Sequence, residues 1–303
     1  MSEGGNAQGM DVAAPLRVGA SAGTLYVVAT PLGNLRDLTL RAIDVLGSAD
    51  VIAAEDTRVT GVLLRHYGIA TRPLSLREHN EARRAGQVVA MLQDGRSVAL
   101  VSDAGTPAIS DPGARLVRAV RDAGLPVVPI PGPNAAIAAV SAAGLSAERF
   151  VFLGFLPVAA KARRELLAAV ARLPVALVVY EAPHRVRDTV AHLVEALGGE
   201  RTLVVAREIT KKFESITQTT LGEAREWFAA DSNRERGEFV LLVDAPRAAD
   251  AATGDSSIDA GRLLAALVEE LPPARAARVA AAATGLPRAA LYAQALALKA
   301  GRG

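Results

Sequence analysis

Short apolar runs alternate with longer amphipathic stretches over most of the chain. Most of these runs are continuous rather than alternating in hydrophobicity, a pattern typical of strands that helices cover on both faces. They predict strands at residues 24–29, 51–54, 97–101, 127–130, 150–153, 175–180, 202–206 and 239–243. Because strand and helix follow one another in this rhythm, we expect mainly parallel sheets with ligand sites at the carboxyl ends of the strands.

Polar residues that cap helices, and glycines that end them, predict where several helices lie between the strands. The predicted pairs of start and end are Asp37 or Thr39 with Gly47, Asn80 with Gly95, and Asp111 with Gly124. Pro112 follows Asp111, and proline suits the first position of a helix. We therefore interpret Asp111 as a helix cap rather than as a ligand.

Two breaks divide the chain. Pro131, Gly132 and Pro133 interrupt it after the fourth predicted strand, and residues 246–257 form an Ala, Asp, Gly and Ser stretch without an apolar period. The predicted segments are a disordered tail (1–22), a first α/β domain (23–133), a second α/β domain (134–245), a linker (246–257) and a helical domain (258–303).

The carboxyl-terminal segment predicts three short helices at residues 258–270, 274–284 and 288–299. The break at Gly285 and Pro287 resembles a helix-turn-helix. Six basic and three acidic residues give this segment a positive charge, which suits a contact with nucleic acid.

Composition excludes several kinds of chemistry. The 303 residues include no cysteine, which removes disulfides, thiolate metal ligands and a cysteine nucleophile. The four histidines form no pair at ligand spacing, so we expect no metal. Because we find neither a secretory signal nor a run of 18 apolar residues, we expect a cytoplasmic protein without a membrane span. The net charge of +2 says nothing about the partner.

Five polar loops follow predicted strands: TPLGN (30–34), EDTR (55–58), SDAGTP (102–107), YEAPHR (180–185) and REITKK (207–212). Each also has an ordinary reading as a βα turn, a helix cap or a solvated loop. Neighbouring strand residues point to opposite faces, so we expect Asp56 to cap a helix, whereas the role of Glu55 stays open. The missing GxGxxG spacing disfavours a nicotinamide oxidoreductase.

A family resemblance runs through these loops in order. The stretches that carry it are GTLYVVATPLGNLRDLTLRAIDVLGSADVIAAEDTR (23–58), LVSDAGTPAISDPG (100–113), PVVPIPGPNAAIAAVSAAGL (126–145), FLGFLP (152–157), YEAPHR (180–185), AREITKKFE (206–214) and GEFVLLV (237–243). Together they resemble the tetrapyrrole-methylase-like class of S-adenosylmethionine enzymes. More closely, they are similar to ribosomal RNA small subunit methyltransferase I, a family that 2′-O-methylates a cytidine in the decoding region of 16S rRNA.

The resemblance implies two α/β domains of the tetrapyrrole-methylase type with the cofactor cleft between them, plus a small helical domain at the carboxyl terminus. It implies S-adenosyl-L-methionine as cofactor, 16S rRNA or the small ribosomal subunit as partner, and a homodimer. The residues that the resemblance places around the cofactor are Pro31, Gly33, Asp103, Ala104, Gly105, Thr106, Pro107, Pro131, Leu153, Ala182, Gly237 and Glu238.

A ribose hydroxyl is a weak acid, so a base or a cation near the developing alkoxide should help the transfer. We expect Glu208, Lys211 and Glu55 in that role, with Glu181 behind them. Arginines would hold RNA phosphates, although charged helix faces are more often simply solvated. The expected RNA-binding residues are Arg58, Arg77, Arg83, Arg84, Arg185, Arg275, Arg278 and Arg288, with His79 in the same basic region.

Two other functions compete. A tetrapyrrole methyltransferase acting on a precorrin or uroporphyrinogen is disfavoured because TPLGN replaces the Gly-rich acidic loop typical of those enzymes, and because a pigment needs no basic extension. A non-catalytic RNA-binding factor for ribosome assembly is disfavoured by the intact TPLGN and SDAGTP loops.

Overall fold

The first sheet has five parallel strands. The computed structural model describes residues 19–77, 80–246 and 260–300. Across this sheet the order is β3 (Pro73–Ser75), β2 (Val51–Ala54), β4 (Val98–Val101), β1 (Leu25–Val28) and β5 (Val127–Ile130). Because every pair in it is parallel, the carboxyl ends of the strands lie at one edge, where loops 30–34, 55–58 and 102–107 begin.

Helices cover both faces of this sheet, which explains why its strands are apolar throughout. The helices are α1 (Leu40–Ser48), α2 (Thr57–His66), α3 (Glu81–Gln93) and α4 (Ala114–Asp122). In β2, Ile52 and Ala54 pack in one cluster with α1 and α2, whereas Val51 and Ala53 pack in the other with α3 and α4. The predicted three-layer arrangement is therefore confirmed for this domain.

The second sheet is mostly antiparallel, so the prediction of mainly parallel sheets is wrong for this domain. Its order is β6 (Phe150–Phe155), β7 (Ala176–Glu181), β10 (Phe239–Val243), β8 (Thr202–Arg207) and β9 (Ser215–Thr220). Only β6 and β7 pair in parallel. The last strand, β10, lies between β7 and β8 and runs antiparallel to both, and β9 folds back against β8.

Strands β3 and β9 were missed because neither is an apolar run. The β3 strand is three residues long, and all three are partly exposed. The β9 strand reads SITQTT and lies at the sheet edge beside β8, with no residue fully buried. Edge strands need less apolar surface than central ones, so periodicity detects them poorly.

In the second domain, α5 (Ala135–Ala142) packs on one face of the sheet. Ala136 and Ala139 belong to the same buried cluster as Val178 of β7 and Val240 of β10. The other face carries α6 (Ala160–Val170), α7 (Val186–Leu197) and α8 (Leu221–Ala229). The sheet therefore has a thin alanine-rich helix on one side and a thicker aliphatic layer on the other.

The carboxyl-terminal helices form a small core of their own. They are α9 (Ala260–Glu270), α10 (Pro273–Thr284) and α11 (Arg288–Ala300), which confirms the three predicted helices. Leu264, Ala276 and Leu291 come one from each helix into this core. Gly285 ends α10 with a left-handed φ of 70°. The predicted linker, except residue 246, and residues 1–18 of the predicted tail lie outside the described residues. None of the described helices has the length and apolar character needed to cross a membrane.

Helix starts agree with the sequence at two positions and differ at a third. Thr39 caps α1, since its hydroxyl accepts a hydrogen bond from Ala42 N at 3.2 Å. Asn80 precedes α3 as predicted, although its side chain does not cap that helix. The interpretation of Asp111 as a cap is wrong, because the capping position of α4 is Gly113.

Glu81 of α3 takes the capping role instead. Its buried Oε1 accepts hydrogen bonds from the backbone N–H groups of Gly113, Arg115 and Leu116 at 3.1, 2.8 and 3.1 Å. A carboxylate at the start of a helix satisfies orphan donors and complements the helix dipole. This contact fixes the end of the 102–113 loop and leaves Asp111 free for another role.

We predict that Glu81→Ala lowers the free energy of unfolding by about 1–3 kcal/mol, because buried backbone donors lose their acceptor. Glu81→Gln keeps an oxygen acceptor and should lose less. Urea unfolding followed by circular dichroism measures both, with Glu165→Ala on the exposed surface of α6 as matched control. An alanine variant as stable as the control would contradict the capping role.

Candidate active site

A cavity of about 300 Å³ lies between the two α/β domains. The first domain lines it with Leu32 and residues 104–106 and 109–111, all from loops after strands. The second domain lines it with residues 134–135, Phe155, 180–183, Ile209 and 238–240. A partly apolar cavity with convergent polar groups at the carboxyl ends of strands is the usual form of a small-molecule site.

Backbone hydrogen bonds hold two loops of the first domain together at the cavity. Thr30 N donates to Gly105 O at 2.8 Å, and Gly105 N donates to Thr30 O at 2.9 Å. Gly105 has a φ of 78°, in the region that favours glycine, and a Cβ there would lie 3.3 Å from the Leu32 side chain. Thr106 Oγ1 also donates to Pro133 O at 3.0 Å, which joins this loop to the segment that enters the second domain.

Asp111 is an acidic group of the cavity without a protein counter-ion. Burial and then the nearby carboxylate of Glu55 raise the pKa of Asp111 to about 6, with a smaller contribution from Asp103 and against a hydrogen bond from the Ser102 side chain that lowers it. Among the residues that the structure describes, no basic side chain forms an ion pair with it. A carboxylate in this position favours a ligand that carries a positive charge.

An aromatic group forms another part of the cavity wall. The rings of Phe152 and Phe155 meet Tyr180 edge-on, with centroids 4.8 and 5.7 Å away. The Tyr180 hydroxyl accepts a hydrogen bond from Ala136 N at 3.0 Å, and burial raises the pKa of Tyr180. This contact fixes the ring against the start of α5, so the cavity presents a rigid flat surface.

Three predicted residues meet in one charged cluster. Lys211 Nζ lies 3.0 Å from Glu208 Oε1 and 2.9 Å from Glu238 Oε2, and Glu238 N donates to Glu208 Oε1 at 2.9 Å. Burial alone would lower the pKa of Lys211, but its bonds to the two carboxylates outweigh burial and raise it. Burial would raise the pKa of Glu208, but the Glu238 N–H and the Lys211 ammonium lower it. Glu208 and Lys211 therefore both stay ionised.

Two predicted glycines make room for this cluster. A Cβ on Gly33 would lie 2.3 Å from Lys211 Cγ, and a Cβ on Gly237 would lie 2.4 Å from Glu208 Cγ. Gly33 belongs to the first domain and Lys211 to the second, so the two domains touch where Lys211 crosses Gly33. Glu208 itself has a left-handed φ of 52°, a conformation that costs a non-glycine residue about 1–3 kcal/mol.

A second recess, of about 350 Å³, adjoins the cavity. Leu32 and Ala104 line both spaces. Residues 30–33, Leu35, 59–60, 62–63 and 102–104 line the recess. Gly33 lines the recess and Glu238 lines the cavity, so Lys211 contacts one lining residue of each space, although it lines neither itself.

Glu55 and Asp56 have separate roles, as expected for neighbours on a strand. Asp56 caps α2 by accepting from Arg58 N at 2.8 Å, which confirms the structural interpretation. Its contacts with Arg58 lower its pKa. Glu55 accepts from Asp103 N at 3.3 Å, and burial, against the effect of that bond, raises its pKa. Glu55 therefore contacts the loop that carries Asp103, although it lines neither space.

Glu181 is engaged within the protein. Its buried carboxylate accepts from Ala182 N at 2.8 Å and Thr189 Oγ1 at 2.5 Å, and it pairs with Arg185 Nε at 3.2 Å. Arg185 also donates to Leu156 O at 2.7 Å. These bonds shape the 181–185 loop at the cavity, so the structure places the guanidinium of Arg185 in an internal network rather than at the surface.

The expected cofactor residues fall into three groups. Ala104, Gly105, Thr106, Ala182 and Glu238 line the cavity, and Pro31, Gly33 and Asp103 line the adjoining recess. The others, outside the lining of both spaces, are Pro107, Pro131, Leu153 and Gly237. The first group supports a ligand between the domains.

The expected RNA-binding arginines occupy two regions. Arg58 and Arg77 pair with Asp56 near the recess, and Arg84 donates to Gln87 on α3. The remaining ones, all exposed, are Arg83 on α3, Arg275 and Arg278 on α10, and Arg288 on α11. His79 lies outside the described residues.

Sequence reasoning missed several cavity residues, Asp111 above all. Its place in the SDAGTPAISDPG stretch was a signal, but its proline neighbour favoured the capping role. Phe155, Tyr180 and Ile209 lie in the stretches FLGFLP, YEAPHR and REITKK but were not selected, because an aromatic or aliphatic residue at a strand end also fits an ordinary core.

Two family models match the chain. The model for Tetrapyrrole (Corrin/Porphyrin) Methylases matches residues 24–225, and the model for the RsmI C-terminal HTH domain matches residues 254–299. The chain is 50% identical to ribosomal RNA small subunit methyltransferase I of Escherichia coli O157:H7 over 276 residues, which cover 91% of this chain and 96% of that protein. The protein of the same name from Pseudomonas aeruginosa is 50% identical over 278 residues, with 91% and 98% covered.

Solved structures share the fold at lower identity. The methyltransferase CobJ is 23% identical with a TM-score of 0.57, covering 74% of this chain and 94% of that one. A cobalt precorrin-4 methyltransferase is 16% identical with a TM-score of 0.55, covering 73% and 94%. These likenesses confirm the two-domain α/β architecture.

We predict that Gly33→Ala destabilises the protein by about 1–3 kcal/mol, because the added methyl group overlaps Lys211. The same change in a Lys211→Ala background should cost much less, so the two effects should not add. Thermal and urea unfolding of the four proteins measure this coupling. Gly47→Ala is the control, since a Cβ there meets nothing within 4 Å. Additive effects on the free energy of unfolding would show that the contact between Lys211 and Gly33 does not stabilise the junction between the domains.

Proposed function

We propose that this chain methylates small-subunit ribosomal RNA. The chain belongs to the tetrapyrrole methylase family and, within it, to ribosomal RNA small subunit methyltransferase I. The methyl donor is S-adenosyl-L-methionine, and the acceptor is the 2′-oxygen of a cytidine ribose in the decoding region of 16S rRNA. The observation that carries this proposal is the pair of adjoining spaces, which share Leu32 and Ala104 in their linings and offer one space to each reactant.

The residues of the interdomain cavity fit the methyl donor. When bound, S-adenosyl-L-methionine supplies an electrophilic methyl group on a positively charged sulfonium. Asp111 provides a carboxylate for a cationic ligand, and the rigid Tyr180 and Phe155 rings suit a flat adenine. The exposed backbone of residues 104–106 offers amides and carbonyls to the polar portions. No protein counter-ion competes for Asp111 among the described residues.

The adjoining recess would hold the acceptor nucleotide, and the chain's own residues would manage its proton. The acceptor hydroxyl would have to give up its proton on taking the methyl group, and a carboxylate of this chain would receive that proton. The pKa of Glu55 is raised by burial, which makes its carboxylate the better base. Lys211 stays protonated and would stabilise negative charge on the oxygen, while Glu208 holds it in place.

RNA would reach the recess along exposed cations. Arg83, Arg275, Arg278 and Arg288 are free to meet phosphates, which position an RNA without reading its sequence. Arg58 and Arg77 lie beside the recess. Arg185 would act through its ion pair with Glu181, by shaping the cavity loop. The family resemblance implies a homodimer, and a ribosomal RNA substrate implies a cytoplasmic protein.

Tritiated methyl transfer to small subunits purified from a strain that lacks this protein tests the proposal. Mass mapping then locates the label on a ribose or a base. Label on a decoding-region cytidine ribose is the expected result. Cofactor binding without label on subunits or naked RNA would overturn it and favour a tetrapyrrole acceptor, whereas failure to bind the cofactor would favour a non-catalytic RNA-binding factor.

Lys211→Ala should lower kcat by about 100-fold, the effect of removing one stabilising group from a developing oxyanion. The Kd for S-adenosyl-L-methionine should stay within about threefold, because Lys211 does not line the cavity. Lys161→Ala, an exposed lysine on α6, is the control. If the alanine variant keeps normal turnover, Lys211 serves only to join the domains. Partial activity in Lys211→Arg would support the role of charge.

Binding of S-adenosyl-L-methionine should weaken as the pH falls from 7.5 to 5, because Asp111 takes up a proton around its pKa of about 6 and loses its charge. Equilibrium dialysis should show a loss of roughly tenfold, and Asp111→Asn should bind weakly at both pH values. Asp122→Asn, exposed on α4, is the control. An unchanged pH dependence in Asp111→Asn would exclude this carboxylate from the cofactor site.

Ionisation of Asp111 should strengthen cofactor binding but destabilise the folded protein. A folded-state pKa raised above the ordinary value of about 4 means that ionisation costs the folded protein free energy, and this cost grows as the pH rises from about 4 through 6. Without ligand, Asp111→Asn should therefore be more stable than the wild type at pH 7.5 and closer to it at pH 4.

A further inference from the structure

The recess beside the cofactor cavity contains a polar group without a partner. Thr60 of α2 lines it, is only 3% exposed, and its Oγ1 has no hydrogen-bond partner among the described residues. The backbone N–H of Thr60 donates to Asp56 O at 3.0 Å, whereas its hydroxyl has no partner among the described residues. A buried hydroxyl without a partner is costly. Because its Oγ1 is buried, the hydroxyl reaches a ligand in the recess when the Thr60 side chain rotates toward that space.

A carboxylate lies on the same recess. Asp103 Oδ1 accepts a hydrogen bond from Asp56 N at 2.9 Å, which orients the side chain. Its Oδ2 takes part in none of the hydrogen bonds or ion pairs described for residues 19–77, 80–246 and 260–300. An ionised carboxylate accepts hydrogen bonds only, so Asp103 selects a ligand that presents a donor.

The remaining walls are apolar. Val59 and Val62 of α2 are 46% and 53% exposed, and Leu35 and Leu63 lie beside them in the lining. Aliphatic side chains at this spacing on one helix offer a surface on which a flat ring can lie. The combination of apolar walls, one free hydroxyl and one acceptor describes a site for a heteroaromatic ring that carries an amino group.

The geometry points to an occupant: we propose that the recess binds the cytosine base of the acceptor nucleotide, with Thr60 and Asp103 as its polar contacts. This inference rests on the proposed function. The base is attached to the ribose carbon next to the one that bears the reacting hydroxyl. Leu32 and Ala104 line both the cavity and the recess. When the ribose hydroxyl lies beside these two residues and faces the cavity, the base lies in the recess.

The carboxylate gives the recess a preference for cytosine. Cytosine presents an amino group at N4, and carboxylates are its usual side-chain acceptors. Uracil presents an acceptor oxygen at that position, which faces the Asp103 carboxylate unfavourably. Thr60 rotates to donate or accept and so contributes affinity to either base. Asp103 is therefore the specificity-determining residue of this pair, and the base must leave its stack to reach it.

The test uses the full-length protein and small subunits reassembled from transcripts that carry cytidine or uridine at the acceptor position mapped in the wild-type reaction. The variants are Thr60→Val, which keeps the side-chain shape, and Asp103→Asn, which keeps Oδ1 for the Asp56 N–H. Thr217→Val on the edge strand β9 and Asp94→Asn at the end of α3 are the matched controls. Thermal melting, gel filtration and cofactor dialysis accompany each rate.

We expect Thr60→Val to lower kcat/KM on cytidine subunits about tenfold and Asp103→Asn about thirtyfold, with cofactor affinity within about threefold of the wild type. The preference of the wild type for cytidine over uridine should be about a hundredfold, and Asp103→Asn should reduce it below about tenfold. The controls should match the wild type in rate and preference.

Three results would overturn the inference and leave the proposed function standing. In the first, the wild type is active and both variants match it in rate and in base preference. In the second, the variants lose cofactor affinity in proportion to their loss of rate. In the third, the variants lose rate only because a complex between two copies of the chain dissociates. A wild type that methylates no ribosomal RNA would overturn the proposed function, and the inference falls with it.

Discussion

The site depends on the contact between Lys211 and Gly33, which joins the two domains. Only a glycine at position 33 leaves room for the lysine side chain. Lys211 comes from a loop of the second domain, Glu208 holds it from an unfavourable backbone conformation, and Glu238 closes the cluster from the start of β10. An ionised lysine between two carboxylates is strong enough to offset that strain. Lys211 therefore links Gly33, which lines the recess, to Glu238, which lines the cavity.

Charge is distributed with opposite sign inside and outside the site. After burial, the carboxylates of Glu55 and Asp103 raise the pKa of Asp111, and that of Asp103 also raises the pKa of Glu55. Exposed arginines lie on α3, α10 and α11. An RNA that binds through phosphates stays on the basic exterior, since acidic walls repel its backbone. A cationic donor and an amino-bearing base are the groups such an interior can accept.

Apolar periodicity predicted every buried strand and the three carboxyl-terminal helices, because burial on both faces leaves a direct mark on composition. It failed for β3 and β9, which lie at sheet edges, and it gave the wrong direction for the second sheet, since strand polarity depends on connections rather than on residue type. Asp111 failed for a different reason. Its local pattern fits a helix cap, but Glu81, distant in sequence, already satisfies the donors of α4. Local rules cannot anticipate a tertiary competitor.

The shared fold cannot by itself decide the acceptor. CobJ and the cobalt precorrin-4 methyltransferase share this fold at 23% and 16% identity. What differs must lie in side chains around the acceptor space and in the helices that follow the second domain. In this chain those are an aliphatic recess with one free hydroxyl and one free carboxylate oxygen, and three helices with exposed arginines. Under the proposed function, the recess takes a single base and the exposed arginines hold its flanking strand, which a macromolecular acceptor requires and a compact pigment does not.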